Sequence, residues 1–222
     1  ELGEQLAARF PKSAQPVLVI GQIYFDLRAL QLAAKAYTRA THIEPKLGNA
    51  WAALALIFKM AGKPKAYMKA LPQAKKHFSS NDASAAHMLG LTFAHGGNES
   101  EAVKWFKRAV EAAPTKIELL DPLLNSLIYL NKTDSALKVA NNILFKNPTK
   151  ALAHWQKSKI ETAVDTGHIK EMMALLAKSP PTDHETHAYF YYAMGTSYME
   201  LFKFTWSSPH IRYSFPGEPS PF

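Results

Sequence analysis

Histidines and carboxylates are the residues of this chain whose spacing could do chemistry. His184-Glu185-Thr186-His187 brackets a glutamate with two histidines, and imidazoles beside a carboxylate are zinc-type ligands. The spacing argues against it: the histidines stand at i and i+3 instead of the i and i+4 of HExxH, and no third ligand is near. His87 and His95, eight residues apart, fall roughly two turns along one helix, and polar lining of a groove accounts for them without a metal. Asp82, Glu99 and Glu101 stand where helix starts need caps and negative charge. No pair of carboxylates has the spacing for acid–base work. There is no glycine-rich phosphate loop, no GxSxG and no cysteine, which excludes disulfides, thiolate zinc sites and cysteine nucleophiles. The sequence therefore assigns no catalytic residue, no cofactor or cofactor-binding residue and no metal ligand, and it reads as a non-enzyme.

With chemistry set aside, the charge and the apolar pattern carry the reading. The 222 residues are 47% hydrophobic and 20% charged, enough to bury a sizeable core. Uncharged apolar runs such as Ala50–Phe58 are far shorter than the ~20 residues of a bilayer span. The first residue is Glu1 and not Met, so the lack of a visible targeting segment leaves the compartment open, with the cytoplasm as default. The net charge of +8 is uneven: no acid lies between Glu44 and Asp82, an interval holding Lys46, Lys59, Lys63, Lys65, Lys69, Lys75 and Lys76. That run reads as a solvated face, with an anionic partner as the competing reading.

The elements follow from prolines. Pro11, Pro45, Pro114 and Pro148 are spaced by 34, 69 and 34 residues, and each follows a helical run that it cannot continue. Between them the same small and large residues recur. One unit carries Val17, Ile20, Gly21 and Tyr24, then Ala33, Tyr37 and Ala40; another carries Ala86, Leu89, Gly90 and Phe93, then Ala102, Phe106 and Ala109. The 34-residue stride and these positions resemble the tetratricopeptide repeat, two antiparallel helices per unit. The resemblance implies an all-α, right-handed superhelical solenoid over residues 1–204. It divides into a half unit at 1–13, units near 14–47, 48–82, 83–116, 117–150 and 151–182, a half unit at 184–204, and an irregular proline-rich tail at 205–222. The chain is similar to a piece of a longer array. Gly21 and Gly90 are expected at tight helix crossings, Asn98 and Thr133 as N-caps, and Pro72 as a bend or break in its helix.

In this family first helices line a concave groove. By repeat position the partner-facing residues are Gln22, Phe25, Leu56, Lys59, His87, Leu91, His95, Asn125, Tyr129, Trp155, Lys159 and Tyr192. The lining is aliphatic near the start, polar in the middle and aromatic toward the end. The resemblance implies a protein or peptide partner held in that groove. The Lys and Asn positions with which some family members clamp heat-shock-chaperone carboxylates hold Leu18 with Gln22, Ala52 with Leu56, and His87 with Leu91, so that partner is not expected. Nucleic acid is disfavoured because no stacking aromatics interleave the lysines. A second reading comes from Tyr189–Phe204, YFYYAMGTSYMELFKF, which is similar to repeats preceding a bacterial sulfotransferase domain. On that reading the chain is a regulatory part of a larger enzyme.

Overall fold

The computed structural model describes Gln5, residues 9–162, 165–180 and 182–207, with side chains as far as Lys203. Every regular element among the described residues is a helix. They fall into two compact units that divide between Asn131 and Lys132, inside the repeat expected at 117–150. The N-terminal half unit expected at 1–13 and the tail beyond Ser207 lie largely or wholly outside the described residues.

The first unit holds three antiparallel pairs: α1 (Gln15–Asp26) with α2 (Leu30–Ile43), α3 (Gly48–Met60) with α4 (Pro64–Lys76), and α5 (Ala83–Ala94) with α6 (Glu99–Ala112). A 3-10 turn at Ile117–Leu119 then leads into α7 (Leu120–Tyr129). Glycine and proline set the punctuation. Gly62 and Gly97 adopt φ of +62° and +74°, the left-handed region where a Cβ is costly. At Gly97 the next amide, Asn98 N–H, donates to the Phe93 carbonyl and Gly97 N–H to that of Ala94; at Gly62 the same two bonds run from Lys63 to Phe58 and from Gly62 to Lys59. Each closes its helix as a Schellman motif. Arg28 and Asn131, at φ of 60° and 53°, fill the same repeat position without glycine. At the far end of the first and third pairs, Glu44 and Ala113 are extended, as the residue before a proline prefers to be.

Within a pair the packing is reciprocal in size. A Cβ on Gly21 would stand 3.0 Å from the Tyr37 ring, and one on Gly90 would overlap Phe106 Cδ1 and Cε1 outright. The glycines are thus wedged where the sequence placed them. Ala33, Ala40, Ala102 and Ala109 are fully buried on the facing helices. Gly48 answers to a different constraint, since a Cβ there would collide with the His77 carbonyl.

Two expectations are corrected. Helix α4 runs unbroken from Pro64 to Lys76 through Pro72. Pro72 and Met68, whose carbonyl loses its donor, are both exposed, so water can serve that carbonyl. Asn98 does cap α6, its Oδ1 accepting from Glu101 N–H at 3.1 Å, but Thr133 is the first residue of its helix and caps nothing. Asn131 has already turned the chain, leaving Lys132 at the cap position.

The second unit holds α8 (Thr133–Lys146), α9 (Ala151–Ser158), α10 (Gly167–Leu176) and α11 (His184–Ser207). Its core is Ala151, Ile169, Met172, Phe190, Ala193 and Met194. Helix α11 continues to Ser207, three residues past the boundary expected at 204.

Candidate functional site

In the second unit the structure brings three of the expected groove residues together. Trp155 on α9 is half-buried between two tyrosines of α11, with ring centroids 5.5 Å from Tyr189 and 6.2 Å from Tyr192. The Lys159 ammonium sits 3.9 Å from the Trp155 ring centroid. Tyr192 is 63% exposed. The cluster exists because Trp155 and Lys159 stand one turn apart on and just past α9, and Tyr189 and Tyr192 one turn apart on α11. Tyr189 was not among the expected residues, though its i, i+3 relation to Tyr192 is the signal that finds it.

In the first unit the expected residues have divided fates. Gln22 is tied down, donating to Asp26 Oδ1 at 2.8 Å and accepting from the Tyr37 hydroxyl at 3.3 Å. Burial, helped by the Asp26 charge, pushes the Tyr37 hydroxyl up to about 12. Phe25 packs against both core clusters of the first unit, one built on the first and second helix pairs and the other on the second and third. Lys59 lies 5.4 Å from the Tyr67 ring centroid, with its Cε against Gly96. Leu91 is half-buried against the α3–α5 core, and His95 is exposed at the end of α5. His87 is half-buried beside Phe106, and its Nδ1 has no hydrogen-bond partner among the described residues. Burial lowers its pKa, so the ring is neutral. Asn125 and Tyr129 are exposed on α7. Leu56 is the exception: it is fully buried among Ala52, Ala85 and Leu89, and no partner reaches it. Each residue advances about 100° around the helix, so a single step separates open surface from the face toward the next first helix, and Leu56 falls on the inner side.

Residues 67–117 match the family profile for the tetratricopeptide repeat. That segment carries the tetratricopeptide repeat. Solved structures of the same fold include YrrB, described as a TPR protein with an unusual peptide-binding site, at 16% identity and TM-score 0.56 over 85% of this chain and 97% of that one. Others are Pseudomonas aeruginosa pilF, at 15% and 0.59 over 89% and 93%, and yeast Tom70, at 14% and 0.65 over 93% and 44%. Likeness at these identities is one of fold. No curated protein matches the chain by sequence.

The tetratricopeptide framework also explains the remaining polar groups. Among the described residues no helix is long and apolar enough to cross a membrane, and no three potential metal ligands converge. Asp183 caps α11 through Thr186 N–H at 3.1 Å, which holds its carboxyl below the ordinary range. His187 bonds the Ser179 hydroxyl at 2.9 Å. The His-Glu-Thr-His stretch is thus a capped helix start. Sequence reasoning missed a histidine pair: His154 Nδ1 lies 2.9 Å from His168 Nε2, and His154 Nε2 lies 2.8 Å from the Pro148 carbonyl. A carbonyl only accepts, so His154 donates through Nε2 and accepts at Nδ1 the hydrogen bond that His168 Nε2–H donates. Trp51 makes the same bond to Pro45, its indole N–H 2.8 Å from that carbonyl. His154 therefore fills a structural slot of the repeat.

Proposed function

We propose that the chain is a protein-interaction scaffold whose first-helix residues hold a peptide or a segment of another protein. The observation that carries this reading is the Trp155–Tyr189–Tyr192 cluster with Lys159 over the indole. Large aromatics with few rotatable bonds and a cation beside them are the side chains that dominate binding energy at protein interfaces. A half-buried tryptophan offers apolar area without much further ordering, and Lys159 adds attraction for a carboxylate. The chemistry suits a segment that combines an apolar side chain with an acidic one. In the first unit the exposed His95 and the half-buried Phe25, Lys59, His87 and Leu91 are first-helix residues of mixed apolar and polar type.

The test is a titration of the whole chain with a set of synthetic peptides, about 15 residues each, that vary apolar and acidic content independently. Tryptophan fluorescence is the readout. Peptides carrying both features bind, and Tyr192→Ala and Lys159→Glu each weaken them by about tenfold or more without changing thermal stability. Binding that ignores both substitutions refutes the proposal.

A further inference from the structure

A trough runs beside α2 in the first unit. Lys35, Arg39 and His42 of α2 form one wall, and Phe58 of α3 with Lys63, the residue before α4, completes it. Its volume is about 670 Å³, within the range of ligand sites, and it opens to solvent. The four basic side chains are exposed, while Phe58 is half-buried and packs on the core beneath. No carboxylate stands among the lining residues. Asp26 and Glu44 are the only acids between Gln15 and Asn81, and both are engaged elsewhere, Asp26 accepting from Gln22 and Glu44 from Ala14 N–H.

Packing does not account for these cations. Elsewhere in the unit Lys59 lies against Tyr67, Lys75 against Phe93 and Arg108 against Trp105. Lys35 and Lys63 have neither a ring nor a carboxylate partner among the described residues. Lys35 and Arg39 stand one turn apart, where like charges work against a helix. Lys63 holds the cap position of α4, the positive end of a helix dipole, and no acid stands in that first turn. Cations gathered against local preference around an apolar floor call for negative charge from outside the chain.

We propose that the trough binds an extended acidic segment of a partner protein, with its carboxylates on the rim cations and one apolar side chain over Phe58. The spacing fits. Lys35 and Arg39 are separated by a rise of about 6 Å, and alternate side chains of an extended chain recur about every 7 Å. Acids two positions apart therefore reach both cations, and the residue between them faces the opposite wall, where Phe58 lies. Arg39, with five N–H donors, serves more than one acceptor. A polynucleotide would need a run of stacking rings, and Phe58 is the one aromatic among the lining residues. The trough shares no residue with the Trp155 cluster and does not depend on what that cluster binds.

The probe is a short labelled peptide with a Glu-Leu-Glu-Glu core in a Gly-Ser frame, titrated by fluorescence anisotropy. The whole chain is used, both as the parent and with Tyr192→Ala and Lys159→Glu to silence the aromatic cluster. The peptide binds both forms, more weakly as salt rises. Lys35→Glu with Lys63→Glu weakens it by about tenfold or more, with circular dichroism verifying that the helices persist. Exchanging the peptide's glutamates for glutamines, or its leucine for serine, also weakens it. A peptide that binds neither form, or that ignores the two charge reversals, overturns the proposal. Equal binding of an oligothymidylate of matching charge overturns it as well, since the surface is then a general polyanion patch. Binding lost with Tyr192→Ala and Lys159→Glu but kept with the lysine reversals places the peptide on the aromatic cluster, which removes this proposal and leaves the scaffold reading standing.

Discussion

Three glycines at one repeat position form a natural experiment in packing. Replacing glycine by alanine inside a helix gains about 1 kcal/mol from backbone propensity. Whether that gain survives depends on what the new methyl meets. At Gly195 it meets nothing within 4 Å among the described residues, so Gly195→Ala is stabilising by about 1 kcal/mol. At Gly21 the nearest atoms are the Tyr37 ring at 3.0 to 3.1 Å, and Tyr37 is tethered through its hydroxyl to Gln22. The ring must yield by a few tenths of an ångström, and the two effects roughly cancel. At Gly90 the methyl overlaps the Phe106 ring, which is 1% exposed and has no free side to move toward. Overpacking there costs about 1–3 kcal/mol, which outweighs the propensity gain and leaves Gly90→Ala destabilised by up to about 2 kcal/mol. Urea unfolding resolved helix by helix with hydrogen exchange separates the first unit from the second. Adding Phe106→Leu to Gly90→Ala should restore part of the loss, a coupling of about 1 kcal/mol. If Gly90→Ala is as favourable as Gly195→Ala, or if the Phe106 cycle shows no coupling, the repeat register assigned here is wrong.

Other outcomes follow from single contacts. Asp82→Ala removes the acceptor of Ala85 N–H at 2.9 Å and costs about 1 kcal/mol in urea unfolding, whereas Lys132→Ala, at a cap position with no side-chain bond, changes nothing measurable. Pro72→Ala restores a helical N–H at an exposed site and raises the stability of the first unit by about 1–3 kcal/mol, read from the same curves. Burial holds His154 and His168 below the ordinary 6.5, and each imidazole would further oppose a charge on the other. Glu161 and Glu171 pull the other way and Lys157 adds to the lowering, without reversing the direction. The unfolded chain therefore binds more protons than the folded one below pH 6.5, so this contribution is complete above that value and is lost as pH falls through the lower folded values. Thermal unfolding of the second unit should weaken in acid, and His168→Asn should flatten that acid limb.

How much was legible depends on how many residues decide a feature. A helix end set by one proline, or a crossing set by one glycine, is written in a single letter, and Pro45, Gly90 and Gly97 could be read directly. The left-handed turn after α1 was hidden because Arg28 fills it, a residue type with no turn signature. Pro72 gave a false signal, since the rule that proline breaks a helix presumes a buried carbonyl, and here the carbonyl side faces water. Leu56 shows the limit of periodicity, which places a residue on a stripe about one turn wide but does not say which neighbour that stripe meets. The His154–His168 contact joins positions 14 apart on two helices, and no local pattern encodes it. The Trp155 cluster was half visible, because its members on one helix share spacing while their meeting across α9 and α11 is a fact of packing.

The pairs in this chain fix a sum of sizes, not a residue. Gly21 stands against Tyr37 and Gly90 against Phe106, while Ala55 and Leu71 occupy the same two positions of the middle pair at intermediate size, both within one core. Volume-conserving exchanges of this kind are what a packed interface tolerates. Positions under that constraint cannot also vary to suit a partner. The proposed binding role therefore falls to first-helix positions outside the pairing constraint, such as Trp155, Lys159 and Tyr192, whose residue types are free to vary with a partner.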